Sequence, residues 1–247
     1  MPAATIDEVI LNLGDIINEE TIGNSCLAFF PILYKTVTER IKTGIANNEF
    51  DDTTRMEKLD VIFAGRYLEA YTQFTTDKIP TSSWLVSFKA KKPLVMQCLL
   101  LGINAHINLD LGIAAAETVG DKGQLADFEA DFDKINAILA DMVGGVKEKI
   151  SKISPLFRLI DYFGKGKEDK LVSFSIEVAR DGAWLFANEY HQAVNKIGVL
   201  KRRDEAISKL AENLIAPKSK LLRFLIKLVY FFELKDVKAI SKILSQA

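Results

Sequence analysis

From Leu94 to Leu109 the chain contains no aspartate, glutamate, lysine or arginine, inside the longer stretch PLVMQCLLLGINAHINLDLGIAAAE, residues 93–117. A helix with no charged face has no side to offer water, so in a soluble protein it belongs at the centre with other helices around it. The run is too short and too polar for a good membrane span, which takes about 20 mainly apolar residues. Pro93 suits a first helical turn, and the apolar pattern predicts a buried central helix over about 93–118.

Polar residues inside such a helix need partners. Gln97, Asn104, His106, Asn108 and Asp110 all fall within it, and an unpaired buried polar group costs roughly 1–3 kcal/mol. At about 100° per residue, Gln97, Asn104 and Asn108 share one stripe, read as amides that bond to loop backbones or neighbouring helices. His106 and Asp110 share nearly the opposite stripe, and Glu117 extends it two turns further. Their i, i+4 spacing puts them within pairing reach. Two readings stand: a core histidine held by its carboxylate, or an acid–base pair or a pair of metal ligands.

The rest of the chain reads as helix as well. Thr5 with Glu8 forms a capping-box pattern for a helix to about Asn18. Further helices are predicted over about 25–47 with Pro31 near its start, 54–74 after Asp51 and Asp52, a short one from Thr81 through Phe88, and 124–142, which Gly144-Gly145 bends or breaks. Others follow Pro155 to Tyr162 and cover about 168–194, 202–215, 218–231 and 235–245. Strand-like alternation is nowhere sustained. At 49% hydrophobic and 26% charged residues the composition is that of a globular protein, not a disordered one. Residues 1–247 are therefore expected to form a single all-α, multihelical domain of roughly nine to eleven helices.

Charge and cysteines narrow the function classes. Lys and Arg number 32 against 33 Asp and Glu, so the overall electrostatic footprint of a nucleic-acid binder is missing and no nucleic-acid partner is expected. Residues 1–60 balance at −6 and residues 196–247 at +7. The plain reading is that the two ends pack near each other; a basic surface for an anionic partner is the alternative. Cys26 and Cys98 sit in apolar stretches and read as buried free thiols. The N-terminal residues carry acidic rather than basic charge before their apolar positions, unlike a signal peptide, which points to a cytoplasmic protein. The GKGKED run at 164–169 lacks the spacing of a phosphate loop, two histidines cannot supply a three-His metal site, and no metal or cofactor is assigned. Asp127, Glu129, Asp131 and Asp133 alternate along their helix and read as a solvated face.

The run SSWLVSFKAKKPLVMQCLLLGINAHINLDLGIAAA resembles the hallmark of a bacterial family of unknown function, a tryptophan–phenylalanine segment followed by L-L-G-(M/I)-N-A-H-I-N-x-D-L. The matching residues are Trp84, Phe88, Gly102, Asn104, Ala105, His106, Ile107, Asn108, Asp110 and Leu111. FAGRYLEA at 63–70 is similar to that family's aromatic-Tyr-Leu-x-Ala segment, and RDGAW at 180–184 to its Arg-acid-x-x-Trp segment. The resemblance implies a helical domain and assigns no activity.

Candidate partners for the site follow from the neighbouring helices. Arg66 lies in an apolar stripe with Leu59, Ile62, Phe63 and Ala70, where an arginine either snorkels to the surface or finds a carboxylate, Asp110 or Asp181. Tyr67 and Tyr71 lie beside it with Asp60. On the later helix Glu177, Arg180, Asp181, Trp184, Asn188 and His191 form one polar stripe, either a solvent face or a cleft wall in which tryptophan meets arginine and aspartate. The working assignment is a small-molecule-binding protein with hydrolase or lyase chemistry at His106 and Asp110. Arg66, Tyr67, Arg180, Asp181 and Trp184 would bind substrate, and Asn104 and Asn108 would be structural. The alternative is a non-catalytic interaction or structural module in which the polar cluster only fixes helix packing. The basic, bulky apolar run SKLLRFLIKLVYFFELKD from residue 219 reads as a core helix whose lysines reach the surface. An interfacial membrane helix is the second reading of that run, and a membrane partner is not expected.

Overall fold

The computed structural model describes residues 2–121, 123–163 and 176–246. Among these residues there is no strand, and eleven helices of seven residues or more build the fold. In chain order they are α1 (Ile6–Ile22), α2 (Phe29–Ala46), α3 (Thr53–Thr75), α4 (Ser82–Phe88), α5 (Val95–Val119), α6 (Glu129–Ile153), α7 (Phe157–Phe163), α8 (Ile176–Gln192), α9 (Lys196–Ile215), α10 (Lys220–Phe232) and α11 (Val237–Leu244).

The charge-free run is the axis of the molecule. By length and composition alone α5 could cross a membrane, but 89% of its most apolar window is buried inside the protein. Helices α2, α3, α4, α8 and α9 surround it. Two glycines let its neighbours come close. A Cβ on Gly102 would meet the Phe30 ring of α2 at 2.3 Å, and one on Gly112 would meet Phe186 at 2.7 Å and the Ala183 carbonyl at 2.8 Å. Any side chain at either point would push α2 or α8 off the axis.

Helix starts are held in two ways. Some caps are local: Thr5 accepts from the Glu8 N–H, as the capping-box pattern predicts, Asp52 from Arg55 and Ser219 from Leu222. Others come from far along the chain. Asp204 of α9 accepts from the Ser82 and Ser83 N–H groups at 2.7 and 2.9 Å, so the start of α4 is capped from α9, and Thr81 makes no side-chain cap. Glu233, just after α10, accepts from the Val95 N–H at the start of α5, while Gln97 accepts from Leu94. Asp131 of α6 accepts from the Asp51 and Asp52 N–H groups and from Arg55. Asp131 therefore does not belong to a solvated face: it is fully buried and ties the start of α3 to α6.

Other expectations need correcting. Gly144-Gly145 does not interrupt α6, which runs on to Ile153. The segment from Ser25 starts with one 3₁₀ turn, Cys26–Ala28, before α2. Cys98 is buried, but Cys26 is only half-buried. Residues 164–169, the GKGKED run, lie outside the described residues. The two chain ends do meet: α1 touches α11, with the Thr21 and Ser241 hydroxyls 3.3 Å apart.

Candidate functional site

Halfway along α5 the helix changes character. Residues His106–Asp110 form one π turn, and the Leu111 N–H bonds to the His106 carbonyl five residues back. Such a turn carries an extra residue, so everything beyond it leaves the phase of a regular helix; these insertions concentrate at functional positions. The single stripe drawn through His106, Asp110 and Glu117 at 100° per residue is broken there. The five residues of the π turn are all buried.

Asp110 is the hub. Its side chain is 1% exposed, and it accepts from Arg66 Nε at 2.9 Å on Oδ1 and from Trp84 Nε1 at 2.8 Å on Oδ2. His106 Nδ1 lies 3.5 Å from the same Oδ2, at the outer limit of a hydrogen bond. Helices α3 and α4 are thus pinned to α5 through one carboxylate. Of the two outcomes that the apolar stripe on α3 left open for Arg66, the ion pair with Asp110 is the one formed. Asp181 is exposed and is not the partner.

His106 is held by aromatic rings. Phe63 stacks on it with centroids 3.6 Å apart and an interplanar angle of 7°, and Tyr34 meets it edge-on at 4.4 Å. Phe30 closes a further side at 5.6 Å. With its proton on Nδ1 toward Asp110, the ring leaves Nε2 as a buried acceptor that finds no donor. Two more buried oxygens in this region, Tyr34 Oη and Asp60 Oδ2, also lack partners.

Electrostatics sort these groups by role. Burial pushes the Asp110 carboxyl upward, but the Arg66 charge and the hydrogen bonds from His106 and Trp84 outweigh it and hold the group below the usual range. Asp110 is a carboxylate at neutral pH. Burial lowers His106 against the pull of Asp110, so the imidazole is neutral. Asp60 has no such compensation: burial, with Glu57 adding to it, raises it to about 7. Burial also raises the Tyr34 and Tyr67 hydroxyls well above their ordinary value, so neither is an anion at neutral pH.

The remaining site candidates divide. Tyr67 is buried in the same aromatic cluster, 5.1 Å from both Phe30 and Trp84. Asn104 donates to the Ile207 carbonyl of α9, and Asn108 donates to Asn104. Gln97 on the same stripe donates to the Leu214 and Ile215 carbonyls. Arg180 and Trp184 belong to a different neighbourhood, around Phe128 and Phe132. Trp184 packs 4.7 Å from Phe132. Arg180 is fully buried, lies over the Phe132 ring and donates to the Phe132 carbonyl at 2.6 Å. Its position on a polar stripe did not make it a solvent or cleft residue. The side chain of Glu177 lies outside the described residues. Arg180, Asp181 and Trp184 therefore do not join His106 and Asp110 in one cleft.

Sequence reasoning assigned no contact to Trp84 or to the ring box of Phe30, Tyr34 and Phe63. The one signal present was Trp84's place in the tryptophan–phenylalanine segment. The space near the hub is small. A half-open cleft lined by Cys26, Phe30, Tyr67, Trp84, Phe88 and Cys98 among others has about 20 Å³ of free volume, room for about one water molecule. Among the described residues, no three His, Cys, Asp or Glu side chains converge as metal ligands.

A family model described as a family of unknown function (DUF5995) matches residues 6–217, and the chain belongs to that family. No curated protein and no solved structure matches it.

Proposed function

We propose that this member of the family is a non-catalytic helical module. Its polar cluster around Asp110 fixes the packing of α2, α3 and α4 on the central helix, and its work is done at the surface. The observation behind this reading is that both oxygens of Asp110 are already engaged by the chain's own side chains. Arg66, Trp84 and His106, all from the chain itself, occupy the carboxylate, and aromatic rings enclose the one imidazole in the cluster. A general acid or base needs a reacting atom within about 3 Å, and Phe63, Tyr34 and Phe30 occupy the space around the ring. The residues that carry the family resemblance, Trp84, Asn104, His106, Asn108 and Asp110, bond mainly to one another and to backbone. That pattern suits a fold-specifying network.

A second reading has its own observation. His106 Nε2, Tyr34 Oη and Asp60 Oδ2 are buried without partners, and a small polar molecule could satisfy them, as ordered water could. One experiment separates the two. Wild type and His106→Gln are melted against a broad set of metabolites and divalent metals. The module reading expects no compound to raise the wild-type melting temperature through this cluster. It fails if a compound stabilises wild type and leaves a folded His106→Gln protein unmoved, because a ligand at about 100 times its dissociation constant adds roughly 2.7 kcal/mol.

A further inference from the structure

Helix α10 lies on the protein with one face only. Leu222, Leu225 and Val229 are buried, while Phe224 is 61% exposed and Phe231 78% exposed. Taking Lys220 as zero and about 100° per residue, the buried residues fall between about 140° and 200°. Phe231, Phe224, Leu228 and Leu221 fall between about 20° and 100°. Arg223, Lys227 and Lys220 fall between about 300° and 0°. The helix thus carries three parallel strips: one docked on the core, one apolar and open to solvent, and one basic beside the apolar strip. Phe232, also exposed, extends the apolar strip by packing against Phe231 with centroids 5.1 Å apart. Lys235 lies over the Tyr230 ring and extends the basic edge past the end of the helix.

The stretch that carries the strip is basic. Residues 218–247 hold seven lysines and arginines against Glu233 and Asp236. Glu233 is buried, bonded to the Val95 N–H and the Ser154 hydroxyl, and its Oε2 lies 3.8 Å from Lys235 Nζ. Asp236 is left as the exposed acid among them, and it accepts from Ala239 as the cap of α11. Lys238 and Lys242 of α11 are exposed.

The geometry points to α10 as a docking helix for the surface of an anionic phospholipid bilayer. In that pose Phe224, Phe231 and Leu221 sit at the acyl boundary, and Lys220, Arg223 and Lys227 meet the headgroup phosphates. An apolar strip bordered by lysine and arginine matches an interface that turns from phosphate to hydrocarbon within a few ångströms. A protein partner binding through an apolar strip does not call for the basic border; a layer of phosphates does. The inference names the partner of the surface module and to that extent rests on the proposal above. It shares no residue with the Asp110 cluster, so the two fail separately.

The test is co-sedimentation of the full chain with vesicles of phosphatidylcholine containing about one third phosphatidylglycerol, and with phosphatidylcholine alone. Partition into the anionic vesicles should be at least about tenfold stronger and should weaken as salt is raised. The double variant Phe224→Ser/Phe231→Ser should lose at least about tenfold of that partition with an unchanged melting temperature, because both side chains are exposed. The triple variant Lys220→Gln/Arg223→Gln/Lys227→Gln should lose the preference for phosphatidylglycerol. The inference is overturned if wild type stays in the supernatant with anionic vesicles. It is also overturned if the phenylalanine variant binds as wild type does. A wild-type dimer that the phenylalanine variant dissociates, without vesicle binding, would give the strip to a second copy of the chain instead.

Discussion

Replacing Asp110 with asparagine keeps the shape of the side chain and removes its charge, which isolates what the hub contributes. Asparagine retains one acceptor oxygen. It can serve Trp84 Nε1 or Arg66 Nε, and its amide then faces the donor left over. Breaking a buried ion pair costs about 3–5 kcal/mol, because the surviving charge is left uncompensated. The Arg66 side chain is 22% exposed, so water reaches part of the guanidinium and the lower end of that range applies. Trp84 Nε1 is buried, and an unmet donor there adds about 1–3 kcal/mol. The expected total is about 4 kcal/mol. With a urea slope of about 3 kcal/mol per molar, the midpoint should fall by about 1.3 M. Equilibrium unfolding at pH 7 measures it. At that pH the depressed Asp110 contributes its full stabilisation, which is lost only as pH falls below the ordinary carboxylate value near 3.9 and through the lower folded value. Arg66→Met should cost a similar amount. Because the two side chains act as one pair, the double variant should be less unstable than the sum of the singles by about 2 kcal/mol. Additivity within about 0.5 kcal/mol would show that the contact carries no coupling, and the argument that Asp110 organises the packing would fall with it.

Three further outcomes follow from named contacts. Asp60, raised to about 7 by burial, stabilises the fold below about pH 4, and that contribution is lost as pH rises through 7; Asp60→Asn should therefore gain on wild type on going from pH 5 to pH 8, by about 2–3 kcal/mol at about 1.4 kcal/mol per pH unit, and melting curves at the two pH values that differ equally for both proteins would contradict it. Asp131→Ala strips acceptors from the Asp51 and Asp52 N–H groups and from Arg55; it should cost about 2–4 kcal/mol, with amide exchange faster at Asp51 and Asp52 just ahead of α3, and unchanged exchange there would count against the tie. Arg180 is pushed down to about 9 by burial and leaves Nε and Nη1 without partners; Arg180→Met should leave stability unchanged or raise it by about 1 kcal/mol, and a loss above about 2 kcal/mol in urea unfolding would restore a functional pairing for this arginine.

The parts of the molecule legible in the sequence are those where a local pattern has only one or two physical solutions. A charge-free run can only be buried, and α5 spans Val95–Val119 against the 93–118 read from Pro93 and the apolar pattern. An arginine in an apolar stripe either snorkels or takes a carboxylate, and Arg66 takes Asp110. What stayed hidden depends on how helices cross. Trp84 lies 26 residues from Asp110 in the chain, and nothing local to a tryptophan indicates which carboxylate its N–H will face. The π turn adds a residue to the helix without leaving a mark in the hydrophobic pattern. The acidic alternation at 127–133 hid its buried member for a geometric reason. Residues spaced two apart rotate by about 200°, so on a helix packed on one side at least one of them must face inward. Asp131 does, and it remains a carboxylate there because, against the upward push of burial, the Asp51 and Asp52 N–H groups just ahead of α3 and the Arg55 guanidinium hold it below the usual range. Asp204 and Glu233 accept from N–H groups at the starts of α4 and α5, which lack partners within the helix. Among the described residues, three of the five buried acids, Asp131, Asp204 and Glu233, thus hold a helix start elsewhere in the chain, while Asp110 pairs with Arg66 and Asp60 Oδ2 has no partner; each of the three ties fixes one helix against another through directed bonds that apolar packing lacks.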